Sequence, residues 1–220
     1  MLEPKTIQML LEGIRDTLYM TLFSTLMGYV VGLPLGITLY VSAPEGLKPN
    51  RIIYRIIDFI CNIVRSVPFL ILLILLIPVT RAIVGQSYGS SATVVPLVIC
   101  AAPYIARVVE TALNEVDKGV IEAAQSMGAN EFSIITKVLI PEAKPALLVG
   151  AVISLVTILG YSAMAGTIGG GGLGMIAITY GYQRFNNEIV WICVALTIII
   201  VQLIQEIGMH IARRTDKRTA

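Results

Sequence analysis

The sequence predicts an all-α membrane protein in which five helices cross the bilayer. Three observations carry this. Of 220 residues, 56% are hydrophobic and only 14% charged, with a mean hydropathy of +0.82; soluble domains carry about a quarter charged residues. The apolar residues fall in long uncharged blocks, each long enough to approach the roughly 20 residues a spanning helix needs. Between the blocks Lys and Arg are unevenly shared, as they are between the two sides of a membrane.

Ahead of the first block, Ile7, Leu10, Leu11 and Ile14 recur at helical spacing beside Glu12, Arg15 and Asp16. Residues 1–16 therefore read as an external, interfacial amphipathic helix. A signal peptide is not expected, because there is no basic start and acidic residues interrupt the apolar run. The first span covers residues 17–41 and carries no charge. On it Gly28, Gly32 and Gly36 form a small-residue stripe that lets another helix approach, within the same subunit in the simpler case.

The second span, residues 60–80, is short unless Arg65 carries its long stem to the interface. The third, residues 90–112, holds Pro96 and Pro103, both expected to kink it. The fourth, residues 145–167, runs into IGGGGLG, Ile168 to Gly174, which should break the helix into a flexible external turn. The fifth covers residues 189–209 and ends among Glu206, His210, Arg213 and Arg214; a basic tail, residues 209–220, comes after it. The transmembrane unit as a whole is expected over residues 13–208.

Five spans put the termini on opposite sides. Lys48, Arg51, Arg55, Arg65, Arg107, Lys118, Lys137, Lys144, Arg213, Arg214, Lys217 and Arg218 fall on one side; only Lys5, Arg15, Arg81 and Arg184 fall on the other. Twelve against four predicts an external N-terminus and a cytoplasmic C-terminus.

Several function classes are weakened at this level. Net charge is +2 with no basic face, so nucleic acid is not an expected partner. Cys61, Cys100 and Cys193 sit in apolar surroundings without CxxC spacing and read as buried hydrophobes. One histidine and no thiol pair cannot build a His/Cys metal centre. Gly169, Gly171 and Gly174 match GxGxxG formally, but no βαβ unit surrounds them and GxxxxGK[ST] is absent. Arg107 with Glu110, and Glu206 with His210, are spaced to pair along helix faces and read as anchors near helix ends rather than a proton relay. No catalytic set is discernible.

One polar segment is too ordered for a slack connector: EAAQSMGANEFSIITKVLIP, Glu122 to Pro141. Gly128 supplies a turn after a helix bearing Glu122, Ala123 and Ala124. Asn130 caps a second helix whose stripe is Phe132, Ile135, Val138 and Leu139, with Pro141 close after its end. An amphipathic hairpin resting on the membrane is the bland alternative to a docking element built on the two alanines and the Glu122 anion.

The spacing EAA, three residues, Gly, nine residues, then V-L-I-P resembles the cytoplasmic signature of binding-protein-dependent ABC importer permeases, with Val138 and Ile140 as conservative departures. LYMTLFSTLMGYVVGLPLG, IVRSVPFLILLILLIPVTRAIVG and ILGYSAMAGTIGGGGLG extend the resemblance to the methionine-importer branch of that family. The resemblance implies the type I importer permease fold, with Glu122, Ala123, Ala124, Gly128 and Pro141 in a coupling hairpin. It also implies a homodimer in the bacterial inner membrane, two separate ABC subunits that bind ATP and Mg, and an extracytoplasmic substrate-binding protein. It implies that this chain holds no cofactor and does no covalent chemistry. Tyr161, Ser162, Met164 and Met175 are candidates for the pathway lining, against the simpler reading of ordinary helix packing. Import of another small amino acid or peptide, or ion-coupled secondary transport, are the competing functions; the last would ordinarily need midplane ionisable residues and inverted repeats, neither of which is clear.

Overall fold

The computed structural model describes residues 3–215; Met1, Leu2 and the end of the basic tail with Lys217 and Arg218 lie outside the described residues. Helices α1 (Pro4–Ser42), α2 (Arg51–Ser66), α3 (Phe69–Leu75), α4 (Ile77–Val84) and α5 (Ser90–Asn114) are followed by α6 (Lys118–Ser126) and α7 (Glu131–Ile134). Then come α8 (Ile140–Ala165), α9 (Gly172–Ile176) and α10 (Asn187–Thr215). No strand occurs among the described residues. Among the described residues, four stretches are long and apolar enough to cross a bilayer, and α2 with α3, bent by 101°, makes a fifth if the pair is one broken span.

α1 joins the amphipathic start and the first span into one helix of 39 residues, about 58 Å at 1.5 Å per residue. Nothing between Asp16 and Thr17 breaks helix geometry, and Pro4 sits in the first turn, where its missing N–H costs nothing. The expected interfacial segment therefore continues straight into the span. Its Leu10 is buried with Leu173, Ile176 and Cys193 of α9 and α10.

The small-residue stripe of α1 packs inside the subunit, against α5. A methyl group at Gly32 would lie 2.7 Å from the Ala102 carbonyl oxygen, and one at Gly36 2.6 Å from that of Ala106. Only hydrogen fits there. The two helices close over Met20, Leu97, Ile105, Val109 and Leu113, all at or near zero exposure. Cys61, Cys100 and Cys193 are buried and free.

Two expectations change. The glycine turn after α8 is not slack: Gly170, Gly171 and Gly172 are buried. Gly89 N–H donates to Gly169 O at 2.9 Å, Thr93 Oγ1 to Gly170 O at 3.2 Å, and Leu173 N–H to Thr17 Oγ1 at 2.9 Å. The missing side chains are what let α1 and α5 close on this backbone. Second, Pro141 does not follow the end of a helix. Residues Ile135–Leu139 form a wider π-type turn and the chain continues as α8. Such a π turn is a single-turn bulge within a longer helix, one of the few features that bend a helix without ending it.

Candidate functional site

Asp117 opens α6 by accepting from Gly119 N–H at 2.6 Å. At its other end Ala129 N–H donates to Ala124 O at 3.1 Å and Gly128 N–H to Gln125 O at 2.9 Å. That pair of bonds is a Schellman closure, with Gly128 in the left-handed position at φ +79°. Asn130 then restarts the chain as a cap, accepting from Ser133 N–H at 2.8 Å. The result is two helices joined by a glycine turn and opened by side-chain caps at Asp117 and Asn130.

Its inner face is apolar. Ile121, Ala124, Ile134 and Leu139 are buried in the cluster that also contains Leu113, Val116 and Ala143, so the hairpin is built into the base of α5 and α8. Two charged contacts tether it to the α1–α2 loop: Lys118 Nζ to Glu45 Oε2 at 2.6 Å, and Lys48 Nζ to Glu131 Oε2 at 3.3 Å. The Lys118 ammonium, through its hydrogen bond and charge, holds the Glu45 carboxyl below its usual range, and Glu45 raises Lys118 in turn.

The outer face carries Glu122, Ala123, Gln125 and Ser126, all exposed, and two bare apolar side chains. Met127 is 81% exposed and Phe132 75%. They flank Gly128 at the tip. They stand out because the rest of this outer face is polar or small, which makes it a candidate docking surface.

The structure leaves Glu122, Ala123 and Gly128 exposed but turns Ala124 inward, where it packs in the core that roots the hairpin. Only one of the two alanines is available to a partner. The expected stripe also shifts: Phe132 points out, while Ile134 and Leu139 are buried and Ile135 and Val138 half-buried. The π turn inserts an extra residue per turn and rotates every later side chain about the helix axis. Pro141 is exposed within the continuous helix. Met127 went unrecognised in the sequence, although its place beside the turn glycine was the available signal.

The four pathway candidates do not share one surface. The Tyr161 ring stacks on Phe69 with centroids 4.8 Å apart. Ser162 is buried and donates to Leu159 O at 2.8 Å; Met164 is exposed and Met175 half-buried. Arg107 and Glu110 do pair, at 2.7 Å, and Arg107 also binds Asp58 and donates to Asn62 Oδ1, tying α5 to α2. Glu206 and His210 form no ion pair among the described residues. The GxGxxG backbone has no phosphate cradle to offer: the Gly169, Gly170 and Leu173 amides already donate, to Gly166 O, Ala165 O and Thr17 Oγ1.

Residues 32–218 match the family of binding-protein-dependent transport system inner membrane components. A probable D-methionine transport system permease protein of Vibrio cholerae is 49% identical over 96% of this chain and 93% of its own. The methionine import system permease protein of Bacillus subtilis is 51% identical over 92% of this chain and 91% of its own. Among solved structures, an inward-facing form of the MetNI methionine ABC transporter matches with a TM-score of 0.96 at 46% identity, covering 98% of this chain and all of that one. An amino acid ABC transporter crystallised with histidines shares the fold, with a TM-score of 0.79 at 23% identity over 96% of this chain and 95% of that one.

Proposed function

The chain belongs to the family of binding-protein-dependent transport system inner membrane components, and on that footing we propose that it is the membrane-spanning permease of an ATP-driven methionine importer. The observation that carries this is the α6–α7 hairpin: stiff, rooted in the core, and bare at its tip. A rigid element of this kind passes a displacement on, whereas a loop would absorb it. The substrate is inferred from relatives named for methionine transport that are about half identical over nearly the whole chain.

In the mechanism, two copies of the chain enclose the pathway, and two ATPase subunits, which bind ATP and Mg, seat on the two hairpins. The covalent step belongs to those subunits. On this chain Met127 and Phe132 fill apolar recesses of the ATPase, Glu122 meets a cation, and Ala123 permits close backbone approach. Closure of the ATPases draws the hairpins together. Because Ile134 and Leu139 are packed at the foot of α8, that displacement enters the spans directly. An external binding protein delivers methionine on the opposite side. The charge distribution supports an external N-terminus and a cytoplasmic hairpin and C-terminus.

Proteoliposomes holding the complete complex test the function. ATP-dependent accumulation of labelled methionine, competed by unlabelled methionine and not by unrelated amino acids, is expected; accumulation of another amino acid in preference would leave the permease assignment and remove the substrate.

A further inference from the structure

A cavity of about 550 Å³ opens between α5 and α8, within the range of small-ligand sites. Its walls are two helical stripes at matching intervals: Tyr104, Val108 and Thr111 on α5, continued by Glu115 at its C-cap, and Ala146, Val149 and Ile153 on α8. These α5 positions lie away from Ala101, Ile105 and Val109, which face α1. α1 thus covers one side of α5, and the cavity occupies another. Tyr104 OH lies 3.4 Å from Thr157 Oγ1, one turn beyond Ile153 along α8.

Two cations line this space, and they differ. Arg107 is committed to Asp58 and Glu110. Arg65 makes no ion pair and no side-chain hydrogen bond among the described residues. It stands two residues before the break at Val67–Pro68, where α2 gives way to α3 at 101°. The first turn of α2 lies near the hairpin, because the preceding loop is tethered to Lys118 and Glu131. Arg65 is then about 21 Å further along the helix axis. Arg65 is exposed and lines this cavity without an ion pair among the described residues, so its guanidinium is available to a ligand.

We propose that Arg65 receives the α-carboxylate of an amino acid in this cavity, with the Val149 and Ile153 wall taking an apolar side chain. A guanidinium binds a carboxylate through two parallel hydrogen bonds, and the low dielectric of a membrane setting strengthens the pair. The ligand class is therefore an apolar α-amino acid with a free carboxylate. This deepens the permease assignment, on which it rests, by placing a substrate-holding site inside the membrane subunit, separate from any site on the external binding protein.

The test uses the intact permease–ATPase complex in nanodiscs, without the external protein, and saturation-transfer NMR at millimolar ligand, after subtracting the signal of the isolated ATPase. L-methionine is expected to give a signal at least about tenfold above that of L-methionine amide, R65Q to abolish the difference, and R65K to restore part of it. V149F, which fills the wall without touching the charge, is expected to weaken both ligands. Each variant is scored only in preparations that retain the ATPase. A methionine signal absent in the wild type, or unchanged in R65Q, overturns the site. Wild-type proteoliposomes that fail to import methionine would instead remove the permease assignment, so the two failures are told apart.

Discussion

Gly128 is the residue at which the hairpin is most sensitive. Its φ of +79° is a left-handed conformation, yet nothing lies within 4 Å of where a side chain would start. Substitution there fails through the backbone and not through a clash. Gly128→Val is expected to cost about 1–2 kcal/mol in the turn, and Asn130→Ala about 1 kcal/mol through the lost cap. Hydrogen exchange of the α6 and α7 amides should accelerate in both, with α5 unaffected. The Glu45–Lys118 contact titrates at two ends. Glu45 is lowered, so its contribution is present above the ordinary carboxylate pKa of about 4.3 and is lost as pH falls through the folded value; Lys118 is raised, so its contribution is present below about 10.4 and is lost as pH rises through the folded value. Glu45→Gln should therefore speed amine labelling of Lys118 at pH 8.

At the scale of elements, the α1–α5 contact depends on the absence of side chains. Gly32→Val drives a methyl into the Ala102 carbonyl and is expected to cost about 1–3 kcal/mol as overpacking, read as a lowered Tm. Gly160→Ala, at a position with open space around it, should leave Tm unchanged or slightly raised. Much of this level was legible in the sequence. Span positions are set by where charges stop, and the glycine stripe by its spacing of four. What escaped was set by tertiary context. The π turn at Ile135–Leu139 is invisible to a pattern that assumes 3.6 residues per turn, and it carries Val138 and Leu139 off the stripe that such a pattern draws through Phe132 and Ile135. The closed glycine turn looks mobile in sequence because its partners, Thr17 and Thr93, lie 156 and 77 residues away.

At the scale of the whole molecule, charge placement divides the labour. Arg107, held by Asp58 and Glu110, fixes α2 to α5, whereas Arg65 at the bend makes no ion pair among the described residues. Sequence spacing found the first pair partner, Glu110, because it lies on the same helix. It missed Asp58, 49 residues away, and with it the contrast between the two arginines. The hairpin, rooted by Ile121, Ala124, Ile134 and Leu139, joins this machinery to whatever seats on its tip.

An ATPase that seats on the bare tip of the hairpin and drives transport from there must draw docking energy from that tip. Replacing Met127 and Phe132 together by alanine removes apolar contact and leaves the buried face intact. Measured by co-purification and titration of the ATPase onto the reconstituted permease, the double variant is expected to lose about 2 kcal/mol or more of docking energy, roughly thirtyfold in Kd, and to lose ATP-driven methionine uptake with Tm unchanged. Unchanged ATPase affinity and uptake in a variant of normal Tm would contradict it.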